Sequence, residues 1–247
     1  MLNNSIFSQM PPVTKNLIII NVIIFLATTL FPAQIGTALE QYCALHYIVS
    51  DNFIATQLVT YQFMHGNFTH LFFNMFSLFM FGMIIESVFG SKRFITYYLI
   101  CGIGAGIIQE IAYYVDIQML LQENINRILP MVNESAETIR NHLIHDASYT
   151  HLINSMLTVG ASGSIYGILL AFGVFFPNRP IYLMFIPYPI KAKWMIIGYA
   201  ILELTLGLGN SQSGVAHFAH LGGMIFGLLL ILYWIKTGVI RKNDNNY

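Results

Sequence analysis

Residues 159–167 read Val-Gly-Ala-Ser-Gly-Ser-Ile-Tyr-Gly, and they open a long apolar run after a polar segment. A membrane helix that begins here would leave its first backbone N–H groups without partners in the helix, at the positive end of the helix dipole. Ser162 at that end can be a nucleophile, and it neighbours free donors suited to an oxyanion. Gly160, Gly163 and Gly167 remove side chains around it, so another backbone can approach closely.

A second segment, Ala219-His220-Leu221-Gly222-Gly223, stands at the start of another apolar run and contains a possible base. The glycine-serine motif alone is more often a packing motif in a protein this rich in glycine. However, Gly223 and Gly227 lie four residues apart, as do the glycines around Ser162, and such pairs let membrane helices pack closely. Two closely packed helices with Ser162 and His220 near the same end have the geometry that a Ser–His pair needs.

The composition indicates a membrane protein. Of the 247 residues, 56% are hydrophobic and 9% are charged, which is too few charges for a water-soluble domain of this size. The formal net charge is +0, so electrostatics give no reason to expect nucleic acid. Cys43 and Cys101 are far apart in the chain, which argues against a disulfide framework or a thiolate metal site.

Apolar runs separated by polar or proline-containing segments predict six membrane spans. Their approximate bounds are residues 16–31, 68–89, 94–114, 162–176, 194–208 and 215–235. Residues 1–15 and 236–247 are tails around a membrane domain of residues 16–235, which contains an insertion at about 116–151. Within the insertion, helical spacing up to Pro130 and again at 137–144 predicts two helices. Residues 37–60 form either an amphipathic interfacial helix or an ordinary packed loop, and 181–190 form a loop or hairpin.

The distribution of cations predicts the orientation. Nine cations fall on the side that carries both termini, namely Lys15, Lys92, Arg93, Arg179, Lys191, Lys193, Lys236, Arg241 and Lys242. Arg127 and Arg140, both in the insertion, fall on the other side. We therefore expect both termini in the cytoplasm, with Ser162 and His220 at the outer ends of spans that run inward.

Histidine and asparagine side chains mark the start of the second span. His70 and Asn74 are four residues apart and share a helical face, and His65 precedes the span. Polar side chains in a bilayer usually face the bundle interior, where they bond to neighbouring helices. A second interpretation is that His65 and Asn74 point donors at a developing oxyanion. A third is a zinc site formed by His65, His70, His217 and His220. No carboxylate or cysteine accompanies these histidines, so we predict no metal and no cofactor.

Taken together, these segments resemble the signatures of the rhomboid intramembrane serine proteases. The matching residues are Gly160-Ala161-Ser162-Gly163, Ala219-His220-x-x-Gly223-x-x-x-Gly227 and His65-x4-His70-x3-Asn74. They lie on the fourth, sixth and second spans, and the match covers about residues 16–235. The resemblance implies an all-α membrane protein with a six-transmembrane-helix rhomboid-like bundle.

The resemblance also implies a role for each residue of the site. Ser162 would be the nucleophile and His220 the base of a dyad with no third acid. His65 and Asn74, with the backbone N–H of Ser162, would form the oxyanion hole. Tyr166 would stack on the catalytic histidine. The other supporting residues would be Gly160, His70 and His217, with a structural turn from Glu86 to Ser91 at the cytoplasmic end of the second span.

Two departures from the family pattern concern the outer surface. Thr56 and Gln57 stand where the family often has Trp-Arg, a structural pair that anchors the first loop. The 116–151 insertion is longer than in the basic six-span form and could shape access to the site.

We expect substrate to enter sideways between the second and fifth spans, as the resemblance implies, with the loop at 209–214 acting as a lid.

The sequence thus predicts a serine-type endopeptidase that cleaves transmembrane segments of membrane proteins near the external face. Its partners would be those substrates and the lipid bilayer, with no nucleic acid and no metal. We expect a multi-pass protein of a bacterial inner membrane. The rival from another class is a catalytically silent rhomboid-like protein that binds membrane clients, although such relatives typically lose the Ser or the His that this chain keeps.

Overall fold

The structure, a computed structural model, describes residues 9–182, 188–209 and 216–240. Over these ranges the chain is an all-α membrane bundle, which confirms the predicted fold class, and its β-strands have two residues each. Five helices are long and apolar enough to cross a membrane, and a sixth apolar helix has 14 residues. At 1.5 Å per residue the sixth is about 21 Å long, short of the ~30 Å hydrocarbon core of a bilayer. The length criterion therefore supports five of the six predicted spans.

The elements are numbered in chain order. The apolar helices are α1 (Pro12–Leu30), α4 (Phe68–Ser77) and α5 (Met83–Phe89) joined by a π-helical turn (Leu78–Gly82), α6 (Ser91–Ile128), α9 (Ser162–Phe175), α10 (Ala192–Gly209) and α11 (His217–Lys236). The other helices are α2 (Ala33–Cys43), α3 (Gln57–Thr60), α7 (Ala136–Ile144) and α8 (Ala147–Ser155). Antiparallel strand pairs join β1 (Leu45–His46) to β2 (Leu157–Thr158), and β3 (Pro180–Ile181) to β4 (Ile190–Lys191).

Helix α9 forms the centre of the bundle, packed against α6 and α11. A Cβ placed on Gly223 would lie 1.9 Å from the carbonyl oxygen of Gly163, so these two backbones can meet only because the residue on α11 is glycine. From the other side, the hydroxyl of Tyr97 on α6 donates to the carbonyl of Gly167 at 2.8 Å. This close packing brings the start of α9, with its serine, next to the start of α11.

Glu86 connects the start of α1 to the turn between α5 and α6. Its buried carboxylate accepts from the backbone N–H groups of Val13 and Thr14, at 3.0 and 2.7 Å, and from the hydroxyl of Ser91 at 2.6 Å. The first two donors belong to the first turn of α1, which has no side-chain cap of its own. Glu86 therefore caps α1 from another helix and braces the turn between α5 and α6 at Gly90, whose φ is +75°.

Gln57 anchors the first loop. Its side chain is fully buried; Oε1 accepts from the N–H groups of His46 and Ile54, and Nε2 donates to the carbonyls of Gln41 and Asn52. One glutamine thus satisfies four backbone groups of the loop. Where the family often has the anchoring pair Trp-Arg, this chain therefore anchors the same first loop through the side chain of Gln57.

The insertion is more helical than the sequence predicts. We expected the third span to end near Tyr114, but α6 continues to Ile128 and ends just before Pro130. The polar residues from Asp116 onward change the surroundings of the helix but do not interrupt its backbone hydrogen bonds. A proline does interrupt them, because it has no N–H, and the helix therefore ends just before Pro130. The predicted helix at 137–144 is present as α7, whereas α8 was not predicted. Tyr47 from the first loop packs against Ile117, Leu121 and Ile153, which fastens the insertion to the bundle.

One smaller difference concerns the start of the first span. Helix α1 begins at Pro12, inside the predicted tail of residues 1–15. Strands β3 and β4 give the base of a hairpin between α9 and α10. Residues 210–214 of the predicted lid and residues 241–247 of the tail lie outside the described residues.

Candidate active site

Ser162 and His220 face each other across the contact between α9 and α11. Nε2 of His220 lies 2.8 Å from Oγ of Ser162, a hydrogen-bonding distance. Ser162 is the first residue of α9, and His220 lies in the first turn of α11. A neutral imidazole in this position can accept the hydroxyl proton of the serine, which is the arrangement that activates a serine as a nucleophile.

Gly160 shapes the turn before the serine. Its φ is +128°, a conformation that L side chains rarely adopt, and its N–H donates to the carbonyl of Tyr61 at 3.0 Å. A Cβ at this position would lie 2.7 Å from the ring of His70. The glycine therefore lets the chain close against the start of α4 and leaves space for His70 beside Ser162.

The ring of His220 is held on one face by Tyr166. The two rings stack nearly parallel, with centroids 4.2 Å apart and an interplanar angle of 5°. Tyr166 lies one turn after Ser162 on α9, so the helix that carries the serine also fixes the orientation of the histidine. The hydroxyl of Tyr166 donates to the carboxylate of Glu203 on α10, which connects a third helix to the pair.

The structure places His70, rather than His65, in the cavity with the serine. His70 and Asn74 both line the cavity, and Nδ2 of Asn74 has no hydrogen-bond partner among the described residues. Over the same residues the cavity wall does not include His65, whose ring packs edge-to-face behind His70 with centroids 5.0 Å apart. Burial, with His70 nearby, lowers the pKa of His65 to about 3, so its ring is neutral. The side-chain donors that line the cavity with Ser162 are thus the half-buried His70 and the buried Asn74.

A cavity of about 800 Å³ surrounds these side chains. Phe73 on α4 and Tyr199 on α10 both line it, and so does Asp116, where α6 continues into the insertion. The polar residues of its wall include Asn67, His70, Asn74, Gln109, Tyr113, Asp116, Ser162, His217 and His220. A polar cavity of this size can admit the water that hydrolysis consumes.

Glu203, His217 and His220 form the one cluster in the described residues whose ligand atoms suit a metal, all within 4.8 Å of one another. However, Nδ1 of His217 is 2.6 Å from Oε2 of Glu203, a hydrogen-bonding distance. Two ligands of a tetrahedral zinc ion are about 3.3 Å apart, given zinc–ligand bonds of about 2.0 Å. The opposite nitrogen of His220 is already engaged by Ser162, so the cluster fits a hydrogen-bonded network better than a metal site.

Glu203 is the residue of this cluster to which the sequence analysis gave no role. The position was recognisable as an acidic residue inside a membrane span, and such residues usually face the bundle interior and pair with a partner. Its partner was not recognisable, because the rotation of α10 about its own axis depends on tertiary packing.

Comparison of the sequence with known proteins points to one family. A family model described as Rhomboid domain matches residues 53–119 and 134–237. The chain is 29% identical over 180 residues to a protein named Rhomboid protease AarA from Providencia stuartii, with 70% of this chain and 53% of that protein covered. It is 27% identical over 193 residues to a Putative rhomboid protease YdcA from Bacillus subtilis (strain 168), with 77% and 70% covered.

A plant relative is also matched over only part of its length. The chain is 26% identical over 174 residues to RHOMBOID-like protein 4 from Arabidopsis thaliana, with 70% of this chain and 32% of that protein covered. The match thus spans about half the length of the relative from Providencia stuartii and about a third of the plant one. The residues that the family model matches include Ser162 and His220.

Proposed function

The chain belongs to the rhomboid family of intramembrane proteases, and from that premise we propose that it is a serine endopeptidase that cleaves transmembrane segments of other membrane proteins. The observation that carries the proposal is the 2.8 Å contact between Oγ of Ser162 and Nε2 of His220, inside a polar cavity of a multi-pass integral membrane protein. Protein names that contain "protease" in two relatives agree with it.

The reaction follows from the positions of these groups. Nε2 of His220 takes the proton of Ser162 while Oγ attacks the carbonyl carbon of a peptide bond, which gives a tetrahedral intermediate with a negative oxygen. His220 then gives that proton to the leaving amine, and the C–N bond breaks to leave an acyl-enzyme. Water from the cavity attacks the ester, again with His220 as base, and releases the acid product and the free serine.

Donors for the negative oxygen come from two helices. The N–H of Ser162 lies in the first turn of α9, where it has no partner within the helix. On α4, His70 and Asn74 offer side-chain donors into the same cavity. In place of the pair expected from the sequence, we propose His70 and Asn74 for this role, because His65 is behind His70.

Replacement of the two serines of α9 tests the proposal. Ser162→Ala should abolish cleavage of a generic transmembrane substrate by the purified protein in detergent, and it should abolish labelling by a fluorophosphonate probe. Ser164→Ala is the matched control, because Ser164 is fully buried with its Oγ within 2.9 Å of the Tyr98 carbonyl and Oε1 of Gln62. The control should keep both activities and lose about 1 kcal/mol of stability.

Each alternative result has a meaning in the same assay. Cleavage by Ser162→Ala at the wild-type rate would remove the serine from the mechanism. A wild-type protein that neither cleaves nor reacts with the probe, yet binds the substrate, would favour the silent client-binding protein.

A further inference from the structure

Glu203 is a carboxylate buried inside an apolar helix, α10, most of whose exposed side chains are apolar. Its neighbours Leu202 and Leu204 are 48% and 46% exposed, whereas Glu203 is 5% exposed. An acidic side chain at this depth is costly unless it is paired with donors or opposite charges. Its presence on α10 therefore requires partners on the adjoining helices, and the structure provides three.

All three partners of Glu203 belong to the candidate active site. Oε1 accepts a hydrogen bond from the hydroxyl of Tyr166, and Oε2 accepts one from Nδ1 of His217 at 2.6 Å. The same Oε2 lies 3.0 Å from Nδ1 of His220. This last contact is within ion-pair distance, but the N–H direction is not aligned with the oxygen, so Nδ1 of His220 has no well-directed hydrogen bond. The carboxylate thus touches the histidine on the side opposite Ser162.

We propose that Glu203 is a positioning residue for His220, so that Ser162, His220 and Glu203 act as a serine–histidine–acid system rather than as a dyad. When Nε2 of His220 accepts the serine proton, its Nδ1 must carry the other hydrogen, and a carboxylate beside Nδ1 favours that tautomer. The imidazolium that forms then lies 3.0 Å from a negative charge, which stabilises it. This inference rests on the proposed function.

Tyr166 and His217 hold the carboxylate where it can do this. Tyr166 stacks on the face of His220 and donates to one oxygen of Glu203, so one side chain fixes the ring and the acid together. His217 lies one turn before His220 on α11 and donates to the other oxygen. Three helices, α9, α10 and α11, thereby set the distance between base and acid.

The test removes the negative charge of Glu203 and keeps the size and shape of its side chain. Glu203→Gln should lower kcat about 10- to 1,000-fold with little change in KM, and it should slow fluorophosphonate labelling by a similar factor. Loss of the acid's charge in a soluble triad costs about 10⁴-fold, and the effect here should be smaller because the contact is not aligned and Tyr166 still holds the ring. Glu203→Asp keeps the charge but withdraws it by one methylene group, so its kcat should fall between Glu203→Gln and wild type.

Glu86→Gln is the matched control, because Glu86 is an equally buried carboxylate at the opposite end of the bundle. It should lower the unfolding temperature and leave kcat unchanged, which separates catalytic from structural effects. Wild-type kcat in Glu203→Gln, or equal losses in the Gln and Asp variants, would overturn the inference. Should Glu203→Gln fail to fold, the Asp variant decides alone, and wild-type kcat in it would overturn the inference.

Two further measurements separate this inference from its alternatives. Cleavage by the wild type and its loss in Ser162→Ala are recorded in the same assay, so a failure there concerns the proposed function and not Glu203. Treatment with EDTA should leave kcat unchanged. If EDTA abolished activity and Zn²⁺ restored it, Glu203, His217 and His220 would be a metal site and the proposal would be overturned.

Discussion

At the scale of single residues, the proposed donors for the oxyanion show where sequence spacing stops being informative. The spacing of His70 and Asn74 places both on one helical face, and the structure has both in the cavity. His65 lies before α4, in a segment whose path depends on contacts with the distant turn at Gly160. Spacing could not decide which histidine reaches the serine, because the position of that segment is set by tertiary structure.

Asn74→Ala should lower kcat more than it raises KM, because the donor acts on charge that develops in the transition state. Loss of one such donor costs roughly 10²- to 10³-fold in a soluble serine protease. We expect about 10- to 100-fold here, because the Ser162 N–H and His70 remain. Steady-state kinetics with a transmembrane substrate measure both constants.

The matched comparison is between the two histidines. His70→Gln should lower kcat by a similar factor to Asn74→Ala, and His65→Gln should lower it less, since the ring of His65 is behind that of His70. A larger loss of kcat in His65→Gln than in His70→Gln would restore the assignment made from the sequence. A raised KM with unchanged kcat in Asn74→Ala would make Asn74 a packing residue.

At the scale of elements, the apolar helices were predictable and their surroundings were not. The apolar run predicted both ends of the second span correctly, because Phe68–Phe89 is bounded by an N-cap at Asn67 and a glycine at Gly90. Helix α8 was missed, although Asp146 caps it by accepting from the N–H of Ser148. A nine-residue polar helix has no apolar stripe strong enough to be recognised without its neighbours.

Helix α10 is less buried than the neighbouring α11, and this gives it a predicted role in substrate entry. Gly198 and Gly209 face open space, whereas Gly207 lies close to the ring of Phe218 and to Cβ of His217. Phe73 on α4 and Tyr199 on α10 flank the cavity. We therefore expect transmembrane substrates to pass between α4 and α10 to reach Ser162.

A reversible crosslink between these helices tests that route. Phe73→Cys/Tyr199→Cys joined by a bifunctional maleimide with a cleavable spacer should lose cleavage of transmembrane substrates and regain it when the spacer is cleaved. Fluorophosphonate labelling of Ser162 should continue in the crosslinked form, because a small probe needs no lateral opening. Cleavage at the full uncrosslinked rate in the crosslinked protein would mean that substrate enters by another path.

At the scale of the whole molecule, the two ends of the bundle differ in charge and in shape. Seven of the cations in the described residues lie at the end with Glu86, namely Lys15, Lys92, Arg93, Arg179, Lys191, Lys193 and Lys236. The other end carries the insertion, the cavity that contains Ser162, and the cations Arg127 and Arg140. Helix α6 has 38 residues and is about 57 Å long, so it extends well beyond a hydrocarbon core of ~30 Å on that side.

This asymmetry predicts the orientation of the protein in the membrane. Segments rich in Lys and Arg next to membrane spans remain in the cytoplasm, so the cavity and the insertion should face outward. In a Cys43→Ser background, Glu134→Cys in the insertion should react with a membrane-impermeant maleimide in intact cells. Thr237→Cys, exposed after α11, should react only after the cells are permeabilised.

The second natural cysteine, Cys101, is fully buried and serves as an internal control that should stay unlabelled in both conditions. The reverse labelling pattern would place Ser162 near the cytoplasmic face and contradict the orientation. It would leave the chemistry of the site intact, because the 2.8 Å contact of Ser162 with His220 does not depend on which side faces the cytoplasm. Orientation decides which end of a substrate's transmembrane segment reaches the serine, so the cleaved segments should be those whose outer ends enter the cavity.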